Sequence, residues 1–407
     1  MIELIIHRAT VITFNRQEAI LTNASIHIDK ECIIDIIDND PCHYSENDAK
    51  TVIDLGGRLL SPGLIDCHTH VIHAGSRADE FALRLTGADY KTIAKAGGGI
   101  LSTVNATREA SFDELLAISS TRVTQMLRYG TTTLEVKSGY GLDTDNETKM
   151  LKVAKAIEQR LPVSILSTFL GAHALPPEFS DNKDGYIDYI INDMLPRIAK
   201  EKLADFVDGF CESIAFSTAQ IQRVFHKAQE LGFKLKLHAE QLSDQKGAVM
   251  AAEYGAVSVD HLEYLKPEDS AVLKENNTVA VLLPGAFYFL KEKQLPPTKA
   301  LINSGVDIAI ATDMNPGTSP FLSLPLMMNM ACVFFGLTPY QAFKGVTVNA
   351  AKALAMADKI GSIEIGKEAD LVLWSCHNYN DIVCNPTINF VDTIIKKGQL
   401  LWQLDSR

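Results

Sequence analysis

Several absences bound what this chain of 407 residues can be. No apolar run reaches the roughly 20 residues that cross a bilayer, so no membrane-spanning partner is expected. Cysteine is scattered: Cys32, Cys42, Cys67, Cys211, Cys332, Cys376 and Cys384 are odd in number and form no C-x-x-C pair. They read as reduced thiols, not a disulfide framework. Basic charge is in deficit, with 38 Lys and Arg against 50 Asp and Glu, which argues against a nucleic-acid or anionic-membrane partner. An anionic small molecule would therefore need cations placed locally. The opening Met1-Ile-Glu-Leu-Ile-Ile-His lacks a basic region followed by a signal-type apolar core, so the expectation is a cytoplasmic protein. Gly97-Gly98-Gly99 is followed by no G-K-S/T and is not a phosphate loop; it reads as a loop over a site or as a tight turn. No linker, repeat or low-complexity tract interrupts the chain.

What is present alternates in a recognisable way. The first sixty residues hold short Ile- and Val-rich strands near Ile2 to Ile6, Ala24 to Ile28, Ile33 to Ile37 and Thr51 to Leu55, punctuated by Asn, Asp, Gly and Pro. The last forty do the same at Asp370 to Trp374, Val391 to Lys396 and Gln399 to Trp402. One small β domain from both termini is expected, over residues 1–58 and 364–407. Between them, over 59–363, eight apolar runs each precede a helical stretch: Leu59 to His68, Thr131 to Lys137, Val163 to Leu170, Phe206 to Cys211, Phe233 to His238, Val257 to His261, Thr278 to Leu283 and Val306 to Asp313. Ser111-x-x-Glu114, Thr144-x-x-Glu147 and Ser217-x-x-Gln220 are capping-box patterns, and Gly130, Gly232 and Gly255 sit where helices would stop. Eight parallel strands alternating with helices predict an α/β fold, a (β/α)8 TIM-type barrel. An open doubly wound sheet is the alternative.

In such a barrel the chemistry gathers at the carboxyl ends of the strands. The first run ends in His68-Thr-His70, and the period of two along a strand sets both imidazoles on one side, where neutral histidines are ready metal ligands. The other ends carry Lys137, His173, Cys211 with Glu212, His238, His261 and Asp313. Each alone also reads as a cap or a satisfied surface residue. Five of the eleven histidines on one rim make the catalytic reading the stronger one.

Gly63-Leu-Ile-Asp-Cys-His-Thr-His70, the later His238, His261 and Asp313, and Gly366-Lys-Glu-Ala-Asp-Leu-Val372 resemble the amidohydrolase superfamily across almost the whole chain. The resemblance implies the barrel and a small composite β-sandwich from both termini. Further stretches agree in order: Ala74-Gly-Ser-Arg77-Ala-Asp-Glu-Phe, Ala96-Gly-Gly-Gly, Lys137-Ser-Gly-Tyr140-Gly-Leu, Leu170-Gly-Ala-His173-Ala, Leu237-His-Ala-Glu-Gln241 and Ala311-Thr-Asp-Met-Asn315-Pro-Gly-Thr318. They are similar to the branch that opens a cyclic amide in histidine degradation. That implies hydrolysis of the ring C–N bond of 4-imidazolone-5-propanoate to N-formimidoyl-L-glutamate.

The resemblance implies one metal ion, zinc or iron, on His68, His70, His238 and Asp313. A second would need a bridging lysine at the fourth strand, which ends Phe210-Cys211-Glu212 instead. It further implies catalytic roles for His238, His261 and Asp313, with the proton shuttle open between the last two and Glu240 less favoured. Arg77 would fork onto the propionate tail; its other reading is a surface arginine. Tyr140, His173 and Gln241 would bond the substrate, Gln241 being unable to act as a base. Asn315, Gly317 and Thr318 would bind product or form a plain turn. Lys137 reads as a structural or substrate-side cation, or as a solvated lysine. Met327 to Phe335 suits a core helix, or the surface of the expected homodimer. The alternatives are a cytosine- or guanine-type deaminase, or an inactive scaffold.

Overall fold

A computed structural model describes residues 2–87 and 98–401. Gly97, the start of the Ala96-Gly-Gly-Gly stretch and Trp402 lie outside the described residues.

Both ends of the chain build one sheet. Strands β1 (Ile2–Ile12), β2 (Ile20–Asp29), β3 (Cys32–Ile37), β4 (Ala49–Asp54) and β5 (Leu59–Pro62) join β14 (Leu371–Trp374), β15 (Val391–Lys396) and β16 (Gln399–Leu401). The order is β16-β15-β14-β5-β1-β2-β3. β1 is long enough to serve two neighbours, pairing in parallel with β4 through its first half and with β5 through its second. Its alternation breaks once. A register shift between Ile6 and Ala9, with Arg8 at φ 51°, keeps Leu4, Ile6, Ala9 and Val11 in one core. An inserted residue of this kind bends a strand and re-aims its side chains.

The single strand expected over Leu59 to His68 is two strands. Gly63 N–H bonds Asp370 O at 2.8 Å, whereas Leu64 N–H bonds Gly130 O at 3.0 Å, so the backbone changes sheets at that point. Only glycine fits there, since a Cβ would lie 2.2 Å from Thr132 Oγ1. From β6 (Leu64–Asp66) the chain winds the barrel through β7 (Thr131–Lys137), β8 (Ser164–Ala172), β9 (Phe206–Cys211), β10 (Lys234–Ala239), β11 (Ser258–His261), β12 (Val279–Leu282) and β13 (Ile308–Ile310). These eight pair in parallel in chain order, as the alternation predicted.

The barrel closes between its first and last strands just beyond their ends. Asp313 N–H donates to His68 O at 3.0 Å, and His70 N–H donates to Met314 O at 2.9 Å. Below them the Asp66 carboxylate accepts from Thr312 N–H at 3.1 Å and Thr312 Oγ1 at 2.7 Å. The closing seam is thus made by the segments that carry three of the candidate ligands. Inside, Ile65, Cys67, Phe206, Val279, Val281, Ala309 and Ala311 form an apolar plug. Cys67 is buried in it.

Ser111 and Ser217 cap the helices Phe112–Arg128 and Thr218–Glu230 with the reciprocal bonds expected. Over Thr144–Arg160 the cap is Asp143 instead, and Glu147 turns inward. Its carboxylate accepts from the N–H groups of Gly139, Gly141 and Leu142 at 2.8–3.1 Å, holding the loop that presents Tyr140. The helix Leu324–Phe335 buries Leu324, Met327, Met328, Ala331 and Phe335, so the apolar stretch there is chiefly core.

The chain leaving the first strand is held by Arg122, whose Nη1 donates to Val71 O at 2.7 Å and His73 O at 2.8 Å. Burial, then the Arg122 charge, push the His73 imidazole down to about 3 from 6.5. A group depressed in the folded state gives stability that is complete above its unfolded value and is lost as pH falls towards the folded one. His73→Gln should therefore lose part of its stability deficit as pH falls from 7 to 5, by up to about 1.4 kcal/mol per unit. Denaturant unfolding of both proteins across that range measures it; a gap that stays constant contradicts the assignment.

Candidate functional site

The site rests on a charged layer above the apolar plug. Glu135 and Lys137 are two apart on β7 and share a face. Lys137 Nζ donates to Glu135 Oε1 at 2.6 Å and to Asp208 Oδ2 on β9 at 2.8 Å, and lies 3.8 Å from Asp260 Oδ2 on β11. All four side chains are fully buried. The solvated reading of Lys137 is therefore wrong: it is the cation at the centre of three carboxylates. Burial alone would depress its ammonium, but Asp208, Glu135 and Asp260 outweigh burial and hold it well above the usual lysine value. Burial pushes Asp208 the other way, and His238 and Lys137 reverse that, keeping it ionised. A second buried ammonium, Lys236, sits on Cys67 O and Ala353 O at 3.3 Å and over the Phe206 ring.

Two of these carboxylates aim the histidines. Asp260 Oδ2 is 2.5 Å from His68 Nδ1, and Asp208 Oδ2 is 3.0 Å from His238 Nδ1, the latter a close contact short of good alignment. An imidazole whose Nδ1–H is directed to a carboxylate turns its Nε2 lone pair outward as a ligand. The outward atoms converge. His70 Nε2 is 3.4 Å from His238 Nε2 and from Asp313 Oδ1, and His68 Nε2 is 3.5 Å from Asp313 Oδ1. His261 joins through its contacts with His68 and His238, so two triads share His68: His68, His70 and Asp313, and His68, His238 and His261.

This donor set fits a metal ion. Tetrahedral ligands at about 2.0–2.1 Å from zinc stand roughly 3.4 Å apart, the spacing seen. His68 Nε2 is buried without a hydrogen-bond partner among the described residues. Burial first, then neighbouring positive charge, hold His68, His70 and His261 well below the usual imidazole value. They are neutral, the form that ligates. Burial pushes Asp313 well above the usual carboxyl range, a penalty that a cation among these atoms would relieve. His261, Leu262 and Asp313 take φ of 84°, 73° and 51°. Non-glycine residues adopt this region at a cost in backbone energy, which the surrounding structure must offset.

Around the cluster stand the residues expected to meet substrate. His173 stacks on His70 with ring centres 5.3 Å apart, and its Nδ1 lies 2.9 Å from Gly139 O. Burial, then His238, lower it to about 4, so it is neutral with Nε2 left as an acceptor. Tyr140 is buried with its ring 5.9 Å from His70 and 5.4 Å from His173. Burial and the Asp313 charge keep its hydroxyl protonated. Gln241 is buried and makes no side-chain hydrogen bond among the described residues. Glu240 faces elsewhere: its carboxylate accepts from Gly247 N–H at 2.7 Å and Ala248 N–H at 2.8 Å, capping the helix Gly247–Glu253. Glu212 is likewise spent on Leu242 N–H and Ser243.

Arg77 lies against Gly317, where an added Cβ would be 2.4 Å from Nη1. Asn315 Oδ1 accepts from Gly317 N–H at 2.9 Å and from Thr318 N–H at 2.8 Å, while its Nδ2 donates to Asp313 O at 2.7 Å. In this arrangement the turn's donors are engaged within the turn, which forms the wall against Arg77. Sequence reasoning passed over Glu135, Asp208 and Asp260. Their signal was a carboxylate at an inward position of an otherwise apolar strand.

This geometry suits a metal-dependent hydrolase at the mouth of a barrel, and the comparisons give the family. The amidohydrolase family model matches residues 59–401, and the chain belongs to that family. Among solved structures, 5-methylcytosine deaminase from Klebsiella pneumoniae superposes with a TM-score of 0.76 at 16% identity, over 99% of this chain and 98% of that one. Atrazine chlorohydrolase from Arthrobacter aurescens gives 0.75 at 16% identity, over 98% and 95%. Both confirm the fold. Within the family the chain stands with the imidazolonepropionases. It is 56% identical to that of Idiomarina loihiensis over 347 residues, 85% of each chain. It is 57% identical to that of Pseudomonas aeruginosa over 334 residues, 82% of each.

Replacing the central cation tests the floor of the site. Lys137→Met leaves three buried carboxylates without it, which should cost about 3–5 kcal/mol of stability and weaken metal binding about 10–100-fold. Thermal unfolding and zinc competition against a chromophoric chelator give both numbers. A variant that holds zinc as tightly as the parent would contradict the role given to Lys137.

Proposed function

We propose that this chain hydrolyses the ring C–N bond of 4-imidazolone-5-propanoate, yielding N-formimidoyl-L-glutamate in the degradation of histidine to glutamate. It is a hydrolase acting on a cyclic amide. The observation that carries the reading is the close approach of His68, His70, His238 and Asp313 at the barrel mouth, in a chain more than half identical to imidazolonepropionases. His68, His70, His238 and Asp313 would hold one ion, zinc or iron, since imidazole and carboxylate suit both. Such an ion supplies Lewis-acid chemistry: it lowers the pKa of a water towards neutrality and polarises a carbonyl.

The chain's own groups do the rest. Arg77 receives the propionate tail. His173, with Nδ1 directed to Gly139 O, offers Nε2 as acceptor to a ring N–H. Tyr140, held protonated, donates through its hydroxyl, and the Gln241 side-chain amide hydrogen-bonds the ring. His261 is neutral, so its free lone pair can accept a hydrogen bond from the attacking water and orient it. Asp313 takes the water's proton and returns it to the leaving nitrogen. Asn315, Gly317 and Thr318 shape the wall where the product's carboxylate forms.

The homodimer also belongs to this proposal. Val333 is 70% and Tyr288 52% exposed on neighbouring helices, an outward apolar strip suited to a second copy. No described helix is long and apolar enough to cross a membrane.

Loss of the ring's ultraviolet absorbance on freshly made imidazolone propionate provides the assay. His238→Ala and Asp313→Ala should each lower kcat by about a thousandfold or more. Arg77→Ala should raise KM by about 10–100-fold with kcat within a few-fold. An unchanged KM would remove Arg77 from the tail, and release of ammonium would favour a deaminase.

A further inference from the structure

Arg77 does not approach the site as a free guanidinium. Its Nε donates to Glu80 Oε2 at 2.7 Å and its Nη2 to Glu80 Oε1 at 2.6 Å, so the side-on fork is already filled. Both side chains are largely buried, at 13% and 10% exposure. Glu80 Oε2 also accepts from Gly99 N–H at 2.9 Å, at the start of the helix Ile100–Glu109. Gly317 packs against the guanidinium at Nη1 and Cζ, where an added Cβ would lie 2.4 and 2.8 Å away. What Arg77 can still offer a carboxylate is the end-on edge of Nη1 and Nη2. Arg84 lies nearby, donating from Nη2 to Gly317 O at 3.0 Å with its guanidinium over the Phe289 ring, and supplies the positive charge that Glu80 cancels.

We propose that Glu80 is a positioning residue for substrate selection: by filling one fork of Arg77 and tying it to Gly99, it fixes where the tail carboxylate must sit. This rests on the reading of Arg77 as the tail's partner. A bidentate pair fixes direction as well as charge, and a guanidinium pinned on two sides cannot follow a shorter tail. The site then measures tail length as well as tail charge. Without Glu80, Arg77 keeps its charge but gains freedom, so binding of the correct substrate falls while a shorter analogue loses little. Nothing in the chemical step passes through Glu80, so kcat should stay near its parent value.

The test compares Glu80→Gln, Arg77→Ala and the double variant of the metal-loaded enzyme on imidazolone propionate and on its acetate-tailed analogue. Glu80→Gln should raise KM for the propionate substrate about tenfold, leave kcat within threefold, and narrow the preference for propionate over acetate. In the Arg77→Ala background the same change should have no further effect on KM. Three results would overturn the proposal: a fall in kcat with KM unmoved, an equal loss for both tails, or a full effect of Glu80→Gln when Arg77 is absent. If Arg77→Ala raises KM and Glu80→Gln does not, the positioning role fails and the tail reading stands. If Arg77→Ala leaves KM unmoved, both fall.

Discussion

The ammonium of Lys137, set between Glu135, Asp208 and Asp260 with no solvent in reach, is the interaction on which the site depends. Buried carboxylates are tolerated only when paired and hydrogen-bonded. Lys137 makes it possible to bury three of them in a barrel interior. Two of the three thereby stand against the inner nitrogens of the histidines, Asp260 bonded to His68 Nδ1 and Asp208 3.0 Å from His238 Nδ1. The orientation of these imidazoles at the mouth is thus set from a layer below. Because that layer carries more carboxylates than the one ammonium they surround, it also favours a cation directly above.

The same economy governs closure of the barrel. The first and last strands, β6 and β13, are only three residues each, too short to seal the seam alone. The hydrogen bonds that finish it come from His68 O, His70 N, Asp313 N and Met314 O, and from Asp66 to Thr312. The backbone that carries these histidines and Asp313 is the backbone that closes the cylinder. The loops that follow are then pinned from outside: Arg122 on Val71 O and His73 O, Glu147 on the turn bearing Tyr140, and Glu80 on Arg77.

Much of this was legible in the sequence, for identifiable reasons. Strand order and the barrel followed from eight apolar runs, and the pairing of His68 with His70 from alternation at a strand end. The break at Gly63 was hidden because Leu59 to His68 reads as one apolar run; the backbone's change of partner leaves no mark beyond a glycine. Lys137 could not be assigned because its surroundings come from β9 and β11, over seventy and over a hundred and twenty residues on, and no local pattern reports such pairing. Glu147 was misread as a cap because a carboxylate three residues past a threonine has the same spacing whether it turns to its own helix or to a loop. Glu240, two residues past His238, faces a helix end, since a residue at φ 53° projects differently from its strand neighbours.

The central claim is that residues from position 68 to position 313 meet on a single ion aimed by the buried carboxylates. Anomalous diffraction at the metal edge, from crystals of the loaded protein, addresses it directly. The account predicts one peak, about 2.0–2.2 Å from Nε2 of His68, His70 and His238 and from a carboxylate oxygen of Asp313. A peak away from this cluster, or two ions of equal occupancy within it, would contradict it.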